Sequence, residues 1–217
     1  MMKKETLSES VYLKLKENLF EMNKGDFVSI RKYAAKYGVS YTPMRDAFIR
    51  LHEEGLLKKM EGVGYFVQMP DYTDFFQTFQ IRKCIEPYAL VQGFSDITSD
   101  DIKEMEHLND LLEISCKNND WLESLNQDIA LHQIIVRKCK NAYLDEFYLS
   151  SRIRYKNFII KNLSVLGEDV LKGNAEHLPL IAAIKCGEKQ AAVDELNRHL
   201  DQAYKRMIAC RNFPSAV

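Results

Sequence analysis

Four side chains in the second half of the chain have the chemistry of metal ligands. Asp128 and His132 are four residues apart, so on a helix they project from one face. A carboxylate and an imidazole at that spacing can reach one ion, and they can equally form a solvated i,i+4 pair. His177 and His199 lie further along, 22 residues apart. Spacing alone does not gather the four. A lone helical histidine is usually a packed or surface residue.

The elements that must position them follow from apolar spacing. From Tyr72 onward strand signals vanish. Tyr72 to Phe94 places Phe75, Phe79, Ile81, Ile85, Tyr88, Ala89 and Val91 at helical intervals. Thr98 and Asp101 make a capping-box-like start, with Asp in place of Glu, for a helix carrying Ile102, Met105, Leu108, Leu111 and Leu112. Asp120 opens a helix to about Cys139, and Asn141 caps a long one through Leu163. Gly167 to Gly173 reads as a loop. Ala175 to Cys186 and Lys189 to Arg211 are the last helices, separated by Gly187. Pro179 is tolerated only in a first turn, so the first of these should start near Glu176. Six or so helices with short joins predict an antiparallel bundle.

The N-terminal part reads differently. Leu7 to Met22 is a helix with Val11, Leu15, Leu19 and Met22 on its apolar stripe, followed by a polar turn at Asn23 to Asp26. Ile30 to Phe66 then reads as helix, tight turn, longer helix and hairpin. Ala34, Ala35 and Tyr37 give the first helix a buried face. Gly38 breaks it in the left-handed conformation that glycine adopts freely. Val39 is expected as a plug between the helices, Ser40 as a side-chain cap, and Pro43 fits the first turn. Met44, Ala47, Phe48 and Leu51 face inward, and Gly55 ends the helix. Leu56 to Lys59 and Tyr65 to Gln68 are strands joined by a tip with Gly62 and Gly64. This is a winged helix-turn-helix, which lays its second helix in the DNA major groove. Pro70 and Asp71 make a short linker. The expected fold is therefore mainly α, with a winged helix-turn-helix domain at 1–69 and an all-α antiparallel bundle at 70–217.

Composition bounds the function. Apolar residues make up 46% and charged residues 28%, ordinary for a soluble globular protein. The net charge of −1 hides an asymmetry: residues 1–70 hold 12 Lys/Arg against 9 Asp/Glu, and residues 71–217 hold 18 against 22. That excess alone is a weak pointer to nucleic acid. No apolar run is long enough to span a membrane, and the N-terminus has no hydrophobic signal core. The five cysteines are scattered and form no Cys-x-x-Cys pair, so reduced, mostly buried thiols in a cytoplasmic protein are expected.

The stretch GVSYTPMRDAFIRLHEEGLL resembles the signature of GntR-type bacterial transcription regulators, with its Gly-Val-Ser, Thr-Pro, Arg-(Asp/Glu)-Ala and closing Glu-Gly-Leu in order. The likeness covers Leu7 to Val67. It implies operator contacts from Ser40, Tyr41, Thr42, Arg45 and Arg31, with Gly62 or Gly64 matching the wing glycine. Tyr41 departs from the basic residue often found there. Phe75 to Arg206 is similar to the FCD domain, the helical ligand-binding domain of FadR-like GntR regulators. IRKCIEPYAL carries the Arg-x-x-x-Glu pair Arg82 and Glu86. DIALHQIIVRKCKNAYL carries the Asp-x-x-x-His helix with Asn141 in its turn. EHLPLIAAIKCGEKQAAVDELNRHL carries the two later histidines.

This resemblance implies a divalent metal at Asp128, His132, His177 and His199, while His52 and His107 match no ligand position. Three imidazoles and a carboxylate suit zinc, nickel or manganese better than calcium or magnesium. An open coordination position would take water or the carboxylate of a small effector. Arg82 would pair with that carboxylate or with Glu86 on its own helix. Of Arg152 and Arg154, two apart on one helix, at most one is expected to reach a bundle cavity.

The implied protein is a homodimeric, ligand-responsive repressor that binds double-stranded operator DNA. Alternatives are a purely structural metal, a metal that is itself the signal, or a metal-dependent hydrolase fused to a DNA-binding domain. No catalytic residue is assigned, because no Gly-x-Ser-x-Gly, His-Glu-x-x-His or P-loop motif accompanies the histidines.

Overall fold

The computed structural model describes residues 7–166 and 173–209, so most of the loop expected at Gly167 to Gly173, with Cys210 and Arg211, lies outside the described residues. The chain divides into two compact units between Thr73 and Asp74. The first unit contains α1 (Leu7–Phe20), β1 (Phe27–Val28), α2 (Ile30–Tyr37), α3 (Tyr41–Glu53), β2 (Leu57–Met60) and β3 (Gly64–Val67). Val11, Leu15 and Leu19 of α1 meet Met44, Ala47, Phe48 and Leu51 of α3 in one core, and Val39 packs against it half-buried. Gly38 ends α2 in the left-handed region (φ 63°).

Three expectations need correction here. Tyr33, not Ala35, joins Ala34 on the buried face of α2, because Tyr33 packs edge-on against Phe48. Ser40 is the N-cap residue of α3, but its side chain makes no capping hydrogen bond. Phe27 and Val28, adjoining the expected turn, form a third strand, giving an antiparallel sheet in the order β1-β3-β2 with Phe27 opposite Phe66 and Leu57 opposite Val67.

The second unit contains six described helices: α4 (Tyr72–Gly93, its first two residues in the first unit), α5 (Ser99–Lys117), α6 (Trp121–Arg137), α7 (Ala142–Leu166), α8 (His177–Lys185) and α9 (Lys189–Ile208). Helix α5 packs on α6 and α8, α6 on α7, and α8 on α9. The caps read from sequence form. Thr98 and Asp101 close a full capping box, Asp120 accepts from the Glu123 N–H, and Asn141 accepts from the Leu144 N–H. A 3-10 turn at Asn174–Glu176 precedes α8, which leaves Pro179 in the first turn.

The buried face of α4 is rotated from the one read off its apolar residues. Tyr88 and Val91 are exposed, while Phe75, Thr78, Phe79, Arg82, Glu86, Ala89, Leu90 and Gly93 are buried. Cys84 and Cys186 are also exposed, free thiols rather than buried ones.

Gly93 is where α4 meets the end of α6. A Cβ there would lie 2.4 Å from the backbone carbonyl carbon of Lys138, and backbone cannot swing aside as a side chain can. Gly93→Ala should therefore cost about 1–3 kcal/mol through overpacking, seen as a lower melting temperature by circular dichroism.

Candidate metal centre and nucleic-acid surface

Helix α6 presents Asp128 and His132, α8 presents its first residue His177, and α9 presents His199. One ligating atom from each of the four lies within 4.8 Å of every other. All three histidines are buried. His132 Nε2 is 3.2 Å from His177 Nε2, and Asp128 Oδ1 is 3.7 Å from the first and 3.5 Å from the second. His199 stacks on His132 with ring centroids 5.0 Å apart, and its Nε2 is buried with no hydrogen-bond partner. The structure thus gathers the four residues that spacing could not, and leaves His52 and His107 exposed elsewhere.

Each imidazole has its other nitrogen against an oxygen. His132 Nδ1 is 2.8 Å from Glu86 Oε2, His177 Nδ1 is 3.2 Å from Asn109 Oδ1, and His199 Nδ1 is 3.1 Å from Glu176 Oε2. Oxygens accept, so each pairing places the proton on Nδ1 and leaves a lone pair on Nε2. Lone pairs on adjoining Nε2 atoms, beside a carboxylate, repel one another unless something positive sits among them. The donor set therefore fits a divalent transition metal, and this outer ring of oxygens is the kind that orients metal-bound histidines.

Charges around the cluster are paired. Glu86, fully buried, accepts from Arg82 Nε at 2.6 Å and from the Tyr148 hydroxyl at 2.9 Å. Burial pushes its carboxyl up, but Arg82, His132 and Arg152 outweigh that and hold it far below the usual range. Asp128 Oδ2 is bound by Arg152, which leaves Oδ1 toward the histidines. Burial opposes its ionisation too, and His177, Arg152 and His132 again prevail.

Both readings of Arg82 have a counterpart. Its Nε is spent on Glu86, yet its buried Nη2 has no hydrogen-bond partner, and the residue lines a small cavity of about 40 Å³ with Asp128, Tyr155, His177, His199 and Arg206. Of the pair on α7, Arg152 is buried and Arg154 is exposed.

The expected DNA contacts lie in the first unit. Ser40, Tyr41, Thr42 and Arg45, at the start of α3, are exposed, as is Arg31 in α2. Arg31, Tyr41, Gly62 and Gly64 line one surface groove with Lys59 and Val63. Gly62 and Gly64 adopt φ of 72° and 142°, and a Cβ on Gly64 would meet the Phe27 ring at 2.7 Å. The wing glycines thus have backbone reasons of their own. Sequence reasoning missed Asn109, Glu176 and Arg206. Only Glu176, next to His177, left a signal in the sequence.

Comparison with known proteins agrees with this geometry. The family described as bacterial regulatory proteins, gntR family, matches residues 7–67, and the FCD domain matches residues 77–202. The gluconate operon transcriptional repressor of Bacillus subtilis is 21% identical over 187 residues, covering 84% of this chain and 76% of its own. A solved structure of Lar, which controls expression of the Listeria monocytogenes agr system, aligns with a TM-score of 0.77 at 16% identity over 94% of this chain and 98% of its own. Escherichia coli McbR/YncC aligns with a TM-score of 0.65 at 20% identity, over 93% and 98%. At these identities the structural likenesses speak for the fold.

The buried histidines set a pH dependence. Burial lowers His132, although Glu86 opposes it, and burial lowers His199 from 6.5 to about 3. Between those values the unfolded chain binds protons that the folded chain refuses, so stability falls as pH drops below 6.5. Glu86 and Asp128 act in the same sense at lower pH: their folded values are depressed, so the stability they add above the usual carboxylate range is lost on acidification. Chelator-treated protein should melt at progressively lower temperature from pH 7 to about 5, followed by calorimetry. Metal affinity should begin to fall below 6.5 rather than at it, because burial keeps these imidazoles neutral longer.

Proposed function

Since the chain belongs to the GntR family of bacterial regulatory proteins and carries an FCD domain, and is on that ground a DNA-binding transcriptional regulator, we propose that it is a homodimeric repressor whose operator binding is set by a small carboxylate. The carboxylate is held beside a divalent metal, zinc before nickel or manganese, at Asp128, His132, His177 and His199. The observation that carries this is the convergence of three imidazole Nε2 faces, each with its Nδ1 fixed by an oxygen, on a cavity that Arg82 also lines. A divalent ion there supplies a positive centre that a carboxylate can ligate. The histidines and Asp128 hold it, Arg152 keeps Asp128 turned toward it, and Arg82 Nη2 is a free donor for the incoming acid. The DNA-binding unit argues for sensing rather than turnover.

Operator recognition falls to Arg31, Ser40, Tyr41, Thr42 and Arg45, with Gly62 and Gly64 shaping the wing. A dimer reads two half-sites about 34 Å apart, so a modest rearrangement loses one of them. Arg45→Ala should weaken operator binding by about 1–3 kcal/mol if the guanidinium reads a base edge, with little change on unrelated DNA. Fluorescence anisotropy with specific and scrambled duplexes measures this, and unchanged binding by a folded variant contradicts the placement of α3.

The His132→Ala/His199→Ala variant tests the sensory centre. It should lose stoichiometric metal, keep operator binding and lose the response of that binding to added carboxylates. A response that survives in the folded, metal-free protein would falsify the sensory reading and leave the metal a structural part.

A further inference from the structure

We propose that the effector is a compact dianion, a short dicarboxylate, with one carboxylate beside the histidine Nε2 faces and the other on Arg82 Nη2 and the Arg206 side of the cavity. This rests on the carboxylate reading above and adds the charge count. Among the described residues, the charged groups that line the cavity or bind its ligating residues fall into three pairs: Arg82 with Glu86, Arg152 with Asp128, and Arg206 with Glu176. Guanidiniums stay protonated, and these carboxylates are held ionised by their partners. The pairs therefore cancel, and the three histidines are neutral in the tautomer their outer oxygens impose.

A divalent ion brought into this balanced site adds two uncompensated positive charges. Burying unpaired charge is costly, so the ligand that completes the site brings two negative ones. A monocarboxylate would leave one positive charge unmatched.

Geometry supports a second anchoring point. Arg82 is 2% exposed, and its Nη2 is buried with no hydrogen-bond partner on a residue that lines the cavity. Such a donor is costly unless a ligand satisfies it. Arg206 approaches from α9 and lines the same cavity beside Gly173, whose hydrogen leaves it room: a Cβ there would come within 2.5 Å of Arg206 Nη2. Both guanidiniums lie on a cavity shared with His177 and His199. A cavity of about 40 Å³ favours a span of a few carbons. No covalent step is involved.

Titration calorimetry on the full chain, stripped and reloaded with zinc, tests this with malonate and succinate against acetate, propionate and gluconate. The dicarboxylates should bind at least about tenfold tighter, as one added charge-assisted contact predicts. Equal or tighter binding of the monocarboxylates overturns the dianion and leaves the carboxylate reading standing. No carboxylate binding at all overturns both. Inorganic phosphate binding more tightly than either dicarboxylate overturns the choice of carboxylate.

Arg82→Gln and Arg206→Gln locate the second anchor, each variant checked for zinc content by mass spectrometry. Loss of the dicarboxylate preference in either supports the assignment. The full preference persisting in both, with zinc bound, overturns it. Arg206→Gln covers the case in which Arg82→Gln does not fold, since Arg206 is only half-buried.

Discussion

A carboxylate with no access to water stays ionised only if cations and hydrogen-bond donors surround it, and Glu86 is such a group. Arg82 from the preceding turn of α4, His132 of α6 and the hydroxyl of Tyr148 on α7 all point at it. Removing any one of them would leave a buried charge short of partners, a loss on the order of 3–5 kcal/mol where an ion pair is broken. The same carboxylate fixes the proton on His132 Nδ1 and so turns Nε2 toward Asp128 and His177. Stability of the bundle and readiness of the centre thus depend on one interaction, and neither can drift without the other.

This constraint also explains what was legible in the sequence. Caps were, because they are local: Thr98 with Asp101, Asp120 and Asn141 each bond within three residues. The helices that carry Asp128, His132, His177 and His199 followed from apolar period and the placing of Pro179. The inward face of α4 did not, because it buries Arg82 and Glu86 and leaves Tyr88 and Val91 outside. A hydrophobic stripe cannot be read where the stripe is partly ionic. Asn109 and Glu176 escaped notice for a related reason. Their task is to meet a histidine 68 or 23 residues away, and no local pattern encodes that distance.

In the first unit the misses are smaller and equally physical. β1 has only two residues, too few for an alternating pattern, and its pairing with β3 is long-range. Tyr33 lies buried through ring contact with Phe48, a tertiary preference that outweighs the small apolar Ala35 at the surface. The wing glycines were noticed for their likeness to a DNA-contacting motif. The backbone supplies a separate reason for them, left-handed φ at both positions and the Phe27 ring against Gly64.

Every described helix of the second unit sends at least one residue to the centre. Arg82 and Glu86 come from α4, Asn109 from α5, Asp128 and His132 from α6, Arg152 and Tyr148 from α7, His177 from α8, His199 and Arg206 from α9. A ligand seated there consequently senses the mutual placement of all six. It can shift an equilibrium between two arrangements only by its difference in affinity for them. A site so densely cross-bonded is sensitive to shifts of fractions of an ångström, since charge-assisted bonds weaken quickly with distance. Of the six helices, α4 alone follows directly on the winged unit. It begins at Tyr72, two residues after Pro70, and Arg82 lies ten residues along it, about 15 Å at a helical rise. A guanidinium that exchanges its free Nη2 for a ligand carboxylate therefore acts on the element that the linker joins.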